Sequence, residues 1–378
     1  MINRNRLAET FEYLVKIDSV SRQEGKICTA LCRLLRELGA KVHVDASGGK
    51  TGSDTGNLVA KFDGGCDVPA ILLSGHMDTV EPGRGVKPQF KEGVFTSDGT
   101  TILGADDKSA LAIILEALRV LKEQNIPHGP LEVVFTVCEE VGLLGARYLE
   151  TGLMDAKMGY VLDTGDVAGI VTRAPFANRL DFTIHGKSAH AGLSPEDGVS
   201  AIVIAATAIS RLKLGRIDAT TTCNIGTITG GTAINIVPDR VRVGGEVRSH
   251  DPVKLEAVTA EIVRVFKETA QSFAQGDFVA ELSVDVRLDF SGTHIPETHP
   301  VVTLAKAAAE NLGRPMACKT SGGASDANVL SVNGIVAGVI GTGMTDVHTL
   351  NESVKLSDMV SATQLLLEII RIHAAKRS

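Results

Sequence analysis

His76 and Asp78 stand one residue apart where the apolar run AILLSG ends, a pairing of residue types that could bind a metal or move a proton. Glu139 and Glu140 follow LEVVFTVC, Asp163 follows GYVL, and His348 comes shortly after GIVAGVIGTG. Asp106 precedes the helical pattern DDKSALAIILEALRVLKEQN. Each alone has an ordinary use. A His-x-Asp is more often a surface turn than a site, an Asp before a helix is an N-cap, and a Glu pair suits the positive end of a following helix. Their shared place at strand ends changes the reading, because ligands of open α/β sheets bind beyond the carboxyl ends of the strands. So many carboxylates on one rim would repel one another unless cations neutralised them. Imidazole and oxygen donors without thiolate suit Zn, Mn or Co, and two ions sharing one bridging carboxylate would use the whole set.

Those residues need elements to hold them. Helical spacing runs over residues 4 to 17 and 24 to 38, the second stretch closed by Gly39. NLVAKF and AILLSG read as strands, and a Gly- and Pro-broken excursion covers 81 to 100. DDKSALAIILEALRVLKEQN then reads as a strongly amphipathic helix of about 18 residues. LEVVFTV, a short helix near LLGARYLETG, and MGYVLD continue the alternation. That order predicts an α/β fold with a central, mostly parallel sheet flanked by helices. From Ala174 the texture shifts to period-two strands separated by two helices, in the order β-α-β-β-α-β, which predicts an inserted α+β domain over residues 174–292. The first texture returns at Thr293, so residues 1–173 and 293–378 form one discontinuous domain.

A chain of 378 residues with 44% hydrophobic content exceeds one ordinary core, in keeping with two domains. A net charge of -7, with no Lys/Arg cluster, argues against nucleic acid or anionic lipid as partners. No stretch approaches the ~18 consecutive apolar residues of a membrane span, and the start MINRNRLAETFEYLVKIDSV lacks the apolar core of a signal peptide. Cysteines 28, 32, 66, 138, 223 and 318 are scattered, with no CxxC pair, and read as reduced thiols. The expectation is a soluble cytoplasmic protein.

The motifs GHMDTV, LGADDKSA, CEEVGLLGA, VLDTGD, GKSAHAG, NIVPD and VHTLNE occur in the order seen in the M20 metallopeptidases, and the pattern most resembles the peptidase T branch. The resemblance implies that His76, Asp106 and Asp163 hold one zinc and Asp106, Glu140 and His348 the other, with Asp106 bridging. Cobalt or manganese would suit the same donors. It implies that Asp78 accepts a hydrogen bond from His76 and fixes its tautomer, and that Glu139 is the general base. The inserted domain would be a lid, with His190 of GKSAHAG donating to the tetrahedral oxyanion and Asn235 and Arg248 touching substrate. A homodimer through that domain would resemble family practice.

The activity so implied is a dizinc aminopeptidase acting on short peptides, tripeptides foremost. Another M20 hydrolase, an N-acyl-amino-acid deacylase or glutamate-type carboxypeptidase, would share every metal ligand. A metal-binding scaffold without activity would not need Glu139 or His190, and both are present. Two departures bear on specificity: the chain is short for a peptidase T, and DDKSA replaces the more usual DDKAG or DDKGG.

Overall fold

The computed structural model describes residues 1–375. The chain divides into two compact units, Met1–Arg173 together with the chain from Thr293 onward, and Ala174–Gly292.

The first unit is built on a mixed sheet whose middle is parallel. Strands Leu131–Thr136, Ile71–His76, Met158–Val161 and Val336–Ile340 lie side by side in that order and run the same way. Parallel strands covered on both faces read as continuous apolar runs, and ILLSGH and LEVVFT are buried at every position. Toward the edges the pairing turns antiparallel, through Leu58–Phe62 and Lys41–Val44 on one side and Gly169–Ala174 on the other. In the register of the centre, His76 lies opposite Thr136 and Ser74 opposite Val161. The carboxyl ends of these strands therefore open on one rim.

The helix Ala105–Glu123 is the central support of this rim, and it corrects the expectation of amphipathicity. Lys108, Ser109 and Glu116 are as buried as Leu111 or Ile114. It packs against helices Arg4–Val15 and Leu356–Ala375 and against the strand Ile71–His76. Its polar residues are paired where a solvent face was expected. Glu116 accepts hydrogen bonds from Asn3 N at 2.9 Å and from Arg6 Nε at 2.7 Å, and Lys108 Nζ donates to the Ile17 carbonyl at 2.7 Å. The segment read as an irregular excursion holds a small hairpin, Gln89–Lys91 and Val94–Thr96, extended by Ser353–Lys355 and Met344–Thr345. Strands of three residues are too short for alternation to be legible.

In the second unit, Gly215–Asp218, Thr221–Gly230, Arg240–Ser249, Phe176–His185 and Glu281–Phe290 form one antiparallel sheet in that order. Helices Ala201–Ser210 and Pro252–Gln271 contribute to its core: Leu180, Phe182, Ile184, Val241 and Val243 pack with Ile204, Leu255 and Phe266. The rings of Phe182 and Phe266 stack at 4.1 Å. The order is the expected β-α-β-β-α-β with one added edge strand, Gly215–Asp218, and a two-residue hairpin, Ala274–Gln275 with Phe278–Val279.

Candidate metal centre

His76 closes the strand Ile71–His76 and is buried. Its Nε2 lies 3.0 Å from Asp106 Oδ1, while its Nδ1 lies 2.9 Å from the Asp78 backbone carbonyl. The Asp78 carboxylate was expected to be that second partner, but its Oδ1 is 3.5 Å from Nδ1. Its oxygens receive the backbone N–H groups of Glu139, at 2.9 Å, and Glu140, at 3.2 Å, and the Ser21 hydroxyl at 2.7 Å. A carbonyl only accepts, so it still places the hydrogen on Nδ1 and turns Nε2 toward Asp106. Asp78 thus acts on the ring through its backbone and on the Glu139–Glu140 turn through its side chain.

Asp106 is the hub. Its Oδ1 faces His76 and its Oδ2 lies 3.2 Å from His348 Nε2, which is itself 2.9 Å from Glu140 Oε1. One carboxylate thus addresses two imidazoles from its two oxygens. Donor atoms of His76, Asp106 and Glu140 lie within 4.8 Å of one another. Asp163, two residues beyond the strand Met158–Val161, is close enough to Asp106, His76 and Glu140 to interact electrostatically with all three.

The charges show what this crowding costs. Burial opposes charge on His76, yet Asp106 and Asp78 hold it well above its ordinary range. Asp106 and Glu140 lift His348 to about 10. Burial would raise Asp106, but His348 and His76 pull it below the usual carboxylate range. Burial, with Asp106 and Glu140, pushes Asp163 well above it, and burial, with Asp163 and Asp326, does the same to Glu139. Imidazole nitrogens aimed at carboxylate oxygens need a proton or a cation between them. The set of two imidazoles and three carboxylates fits divalent Zn, Mn or Co.

Three supporting residues escaped the sequence reading. Glu352, fully buried, accepts hydrogen bonds from Leu103 N at 2.8 Å, Gly104 N at 2.7 Å and Asp106 N at 2.9 Å, and so holds the loop that presents Asp106. Asp107 Oδ2 accepts from His76 N at 3.1 Å, in a space that exists because residue 75 is glycine; a Cβ there would lie 2.7 Å from that oxygen. Asp326 accepts from the Thr136 hydroxyl, and burial raises its carboxyl to about 6. Glu352 lies inside VHTLNE and Asp107 inside LGADDKSA, whose spacing singles out His348 and Asp106 instead, and Asp326 lies outside the seven motifs.

His190, Asn235 and Arg248 belong to the second unit. His190 Nδ1 accepts from Gly192 N at 3.1 Å and Leu193 N at 3.2 Å. In the neutral ring that leaves the hydrogen on Nε2, a donor on an exposed loop. Asn235 is beside it, its carbonyl accepting from Ala191 N at 2.9 Å. Arg248 forms a two-pronged pair with Glu246, at 3.1 and 3.0 Å, with its guanidinium 5.7 Å from the Phe290 ring.

The pattern of peptidase family M20/M25/M40 matches residues 72–372. Among curated proteins, the uncharacterized protein YqjE of Bacillus subtilis (strain 168) is 43% identical over 100% of both chains. Among solved structures, aminopeptidase PepT from Bacillus cereus ATCC 10987 is 44% identical with a TM-score of 0.89, covering 99% of this chain and 100% of its own. A tripeptidase from Staphylococcus aureus subsp. aureus Mu50 is 42% identical with a TM-score of 0.93, covering 100% of both. A match over most of the length, on a fold whose strand ends gather imidazole and carboxylate donors, has one conclusion: the chain belongs to peptidase family M20/M25/M40 and is a peptidase.

Proposed function

We infer that the protein is an aminopeptidase that releases the N-terminal residue of short peptides, tripeptides foremost, at a centre for two divalent cations, zinc in first place and cobalt or manganese as substitutes. The observation that carries the reading is Asp106, whose two oxygens address His76 and His348 separately. His76, Asp106 and Asp163 would hold one ion, and Asp106, Glu140 and His348 the other. Bound there, the cations would polarise the scissile carbonyl and make an attacking water more acidic.

The residues of the chain do the rest. Glu139 takes the water's proton and returns it to the leaving amine. His190, with its hydrogen on Nε2, donates to the oxyanion. Asn235 and Arg248 hold polar groups of the peptide, and the second unit serves as the lid and as the surface of a homodimer. The unpaired state of all six cysteines fits a reducing cytoplasm. No described helix is long and apolar enough to cross a membrane.

The test is a panel of tripeptides, dipeptides, N-acetyl amino acids and γ-glutamyl compounds, run on zinc- and cobalt-loaded protein. Release of the N-terminal residue, fastest from tripeptides, supports the reading. Preferential cleavage of N-acyl or γ-glutamyl compounds would make this a different M20 hydrolase with the same ligands, and no turnover would leave a metal-binding scaffold.

A further inference from the structure

We propose that Glu24, in the segment before helix Gly25–Leu38, is the positioning residue that sets the turn carrying Glu139 and Glu140. The inference rests on the roles given to those two residues above. Strands Leu131–Thr136 and Ile71–His76 end together at the rim, so the next N–H groups need acceptors from elsewhere. Four consecutive ones find them on side chains. Val137 N donates to Asn57 Oδ1 at 3.1 Å, Cys138 N to Glu24 Oε1 at 3.0 Å, and Glu139 N and Glu140 N to the two oxygens of Asp78 at 2.9 and 3.2 Å. The three acceptors come from three separate segments of the chain.

Cys138 is the pivot of this turn. Its φ is 54°, a left-handed conformation that a residue with a Cβ keeps only where its surroundings over-determine it. It is fully buried, and its carbonyl accepts from Leu144 N at 3.0 Å. The acceptor for its N–H is Glu24, which also takes the Cys138 thiol at 3.4 Å. Glu24 is itself fixed: it is fully buried, Arg22 N donates to Oε1 at 2.9 Å, and the Ser53 hydroxyl donates to Oε2. If Glu24 withdraws, a buried N–H is left without a partner, and Cys138 is free to relax toward negative φ. A rotation about that bond swings both glutamates, because they follow it immediately in the chain.

The role requires an acceptor at a fixed place rather than a negative charge, and two conservative variants separate these. In Glu24→Gln the amide oxygen can accept from Arg22 N and Cys138 N while the NH2 group donates to Ser53. Glu24→Asp keeps the charge but pulls the oxygen back by one methylene. At saturating metal, Glu24→Asp should lower kcat by about 10²-fold with KM changed less than about twofold, the scale of a misplacement near 1 Å. Competition with a chelator should show it holding zinc about tenfold or more less tightly, since Glu140 moves with the turn; an effect of that size is about 1.4 kcal/mol. Glu24→Gln should recover most of both properties. Adding Cys138→Gly to Glu24→Asp should restore part of the loss, because glycine adopts positive φ without penalty.

Equal behaviour of the Gln and Asp variants, or a Gln variant worse than Asp, would overturn the proposal. So would lowered thermal stability in the Asp variant with wild-type kcat and zinc retention. Should the wild-type protein cleave none of the peptides, the aminopeptidase reading fails on that result, while chelator competition still decides the role of Glu24.

Discussion

At the scale of single residues, Asp106 and His190 carry separable parts of the account. Asp106→Asn keeps the size and one carbonyl oxygen but removes the charge that two imidazoles face. Each ion loses a ligand at once, so this substitution should lower metal content more than any other single ligand change. Elemental analysis is the check, and two metals per chain in the variant would contradict the bridge. His190→Ala should leave metal content intact, because the residue lies in the other unit. Its kcat should fall by about 10²-fold or more, as for a lost oxyanion donor. A rise in KM alone would make His190 a binding contact.

At the scale of elements, the loop 103–106 is held by Glu352, a residue four positions after His348, which fastens together two ligand-bearing segments far apart in the chain. Glu352→Ala leaves three N–H groups without that acceptor. Buried donors left unsatisfied cost about 1–3 kcal/mol each, so the variant should lose at least about 3 kcal/mol in urea unfolding. A loss below 1 kcal/mol would show that water or a shifted backbone replaces the clamp. The same loop shows what the sequence could disclose. His76, Glu140 and His348 were legible because an apolar strand announces where it ends, and the parallel order then gathers those ends. Glu352, Asp107 and Asp326 were not, because a carboxylate that accepts from a distant backbone leaves no periodic trace. Lys108 and Glu116 misled in the opposite sense: the spacing marked a solvent face, and only the helices packed over Ala105–Glu123 bury it. The Asp78 side chain shows the same limit: its oxygens accept from the backbone N–H groups of Glu139 and Glu140, a role no spacing marks, while its Oδ1 stays 3.5 Å from His76 Nδ1.

At the scale of the whole molecule, the crowded rim makes stability depend on pH and on metal. Asp326, raised to about 6 by burial, holds a proton in the folded chain that the unfolded chain releases at about pH 4, so its contribution to stability falls as pH rises through that window. Asp163 and Glu139 are shifted in the same direction. His348, lifted to about 10, adds stability that is full below about pH 6.5 and is lost as pH rises toward 10. All these groups act with one sign. Metal-free protein should therefore lose thermal stability from this site as pH rises above about 4, and the Tm gap between zinc-loaded and chelated protein should widen between pH 5.5 and pH 8. A gap that stays constant or narrows would contradict the site. The proposed chemistry divides between two adjacent glutamates, Glu139 as base and Glu140 as ligand, and a paired measurement of metal stoichiometry and tripeptide hydrolysis on Glu139→Gln and Glu140→Gln tests that division. Glu139→Gln should keep both metals while turnover falls roughly 10²- to 10⁴-fold, the range for a lost general base, and Glu140→Gln should lose metal; near wild-type turnover in the first, or equal metal loss in both, would contradict the account.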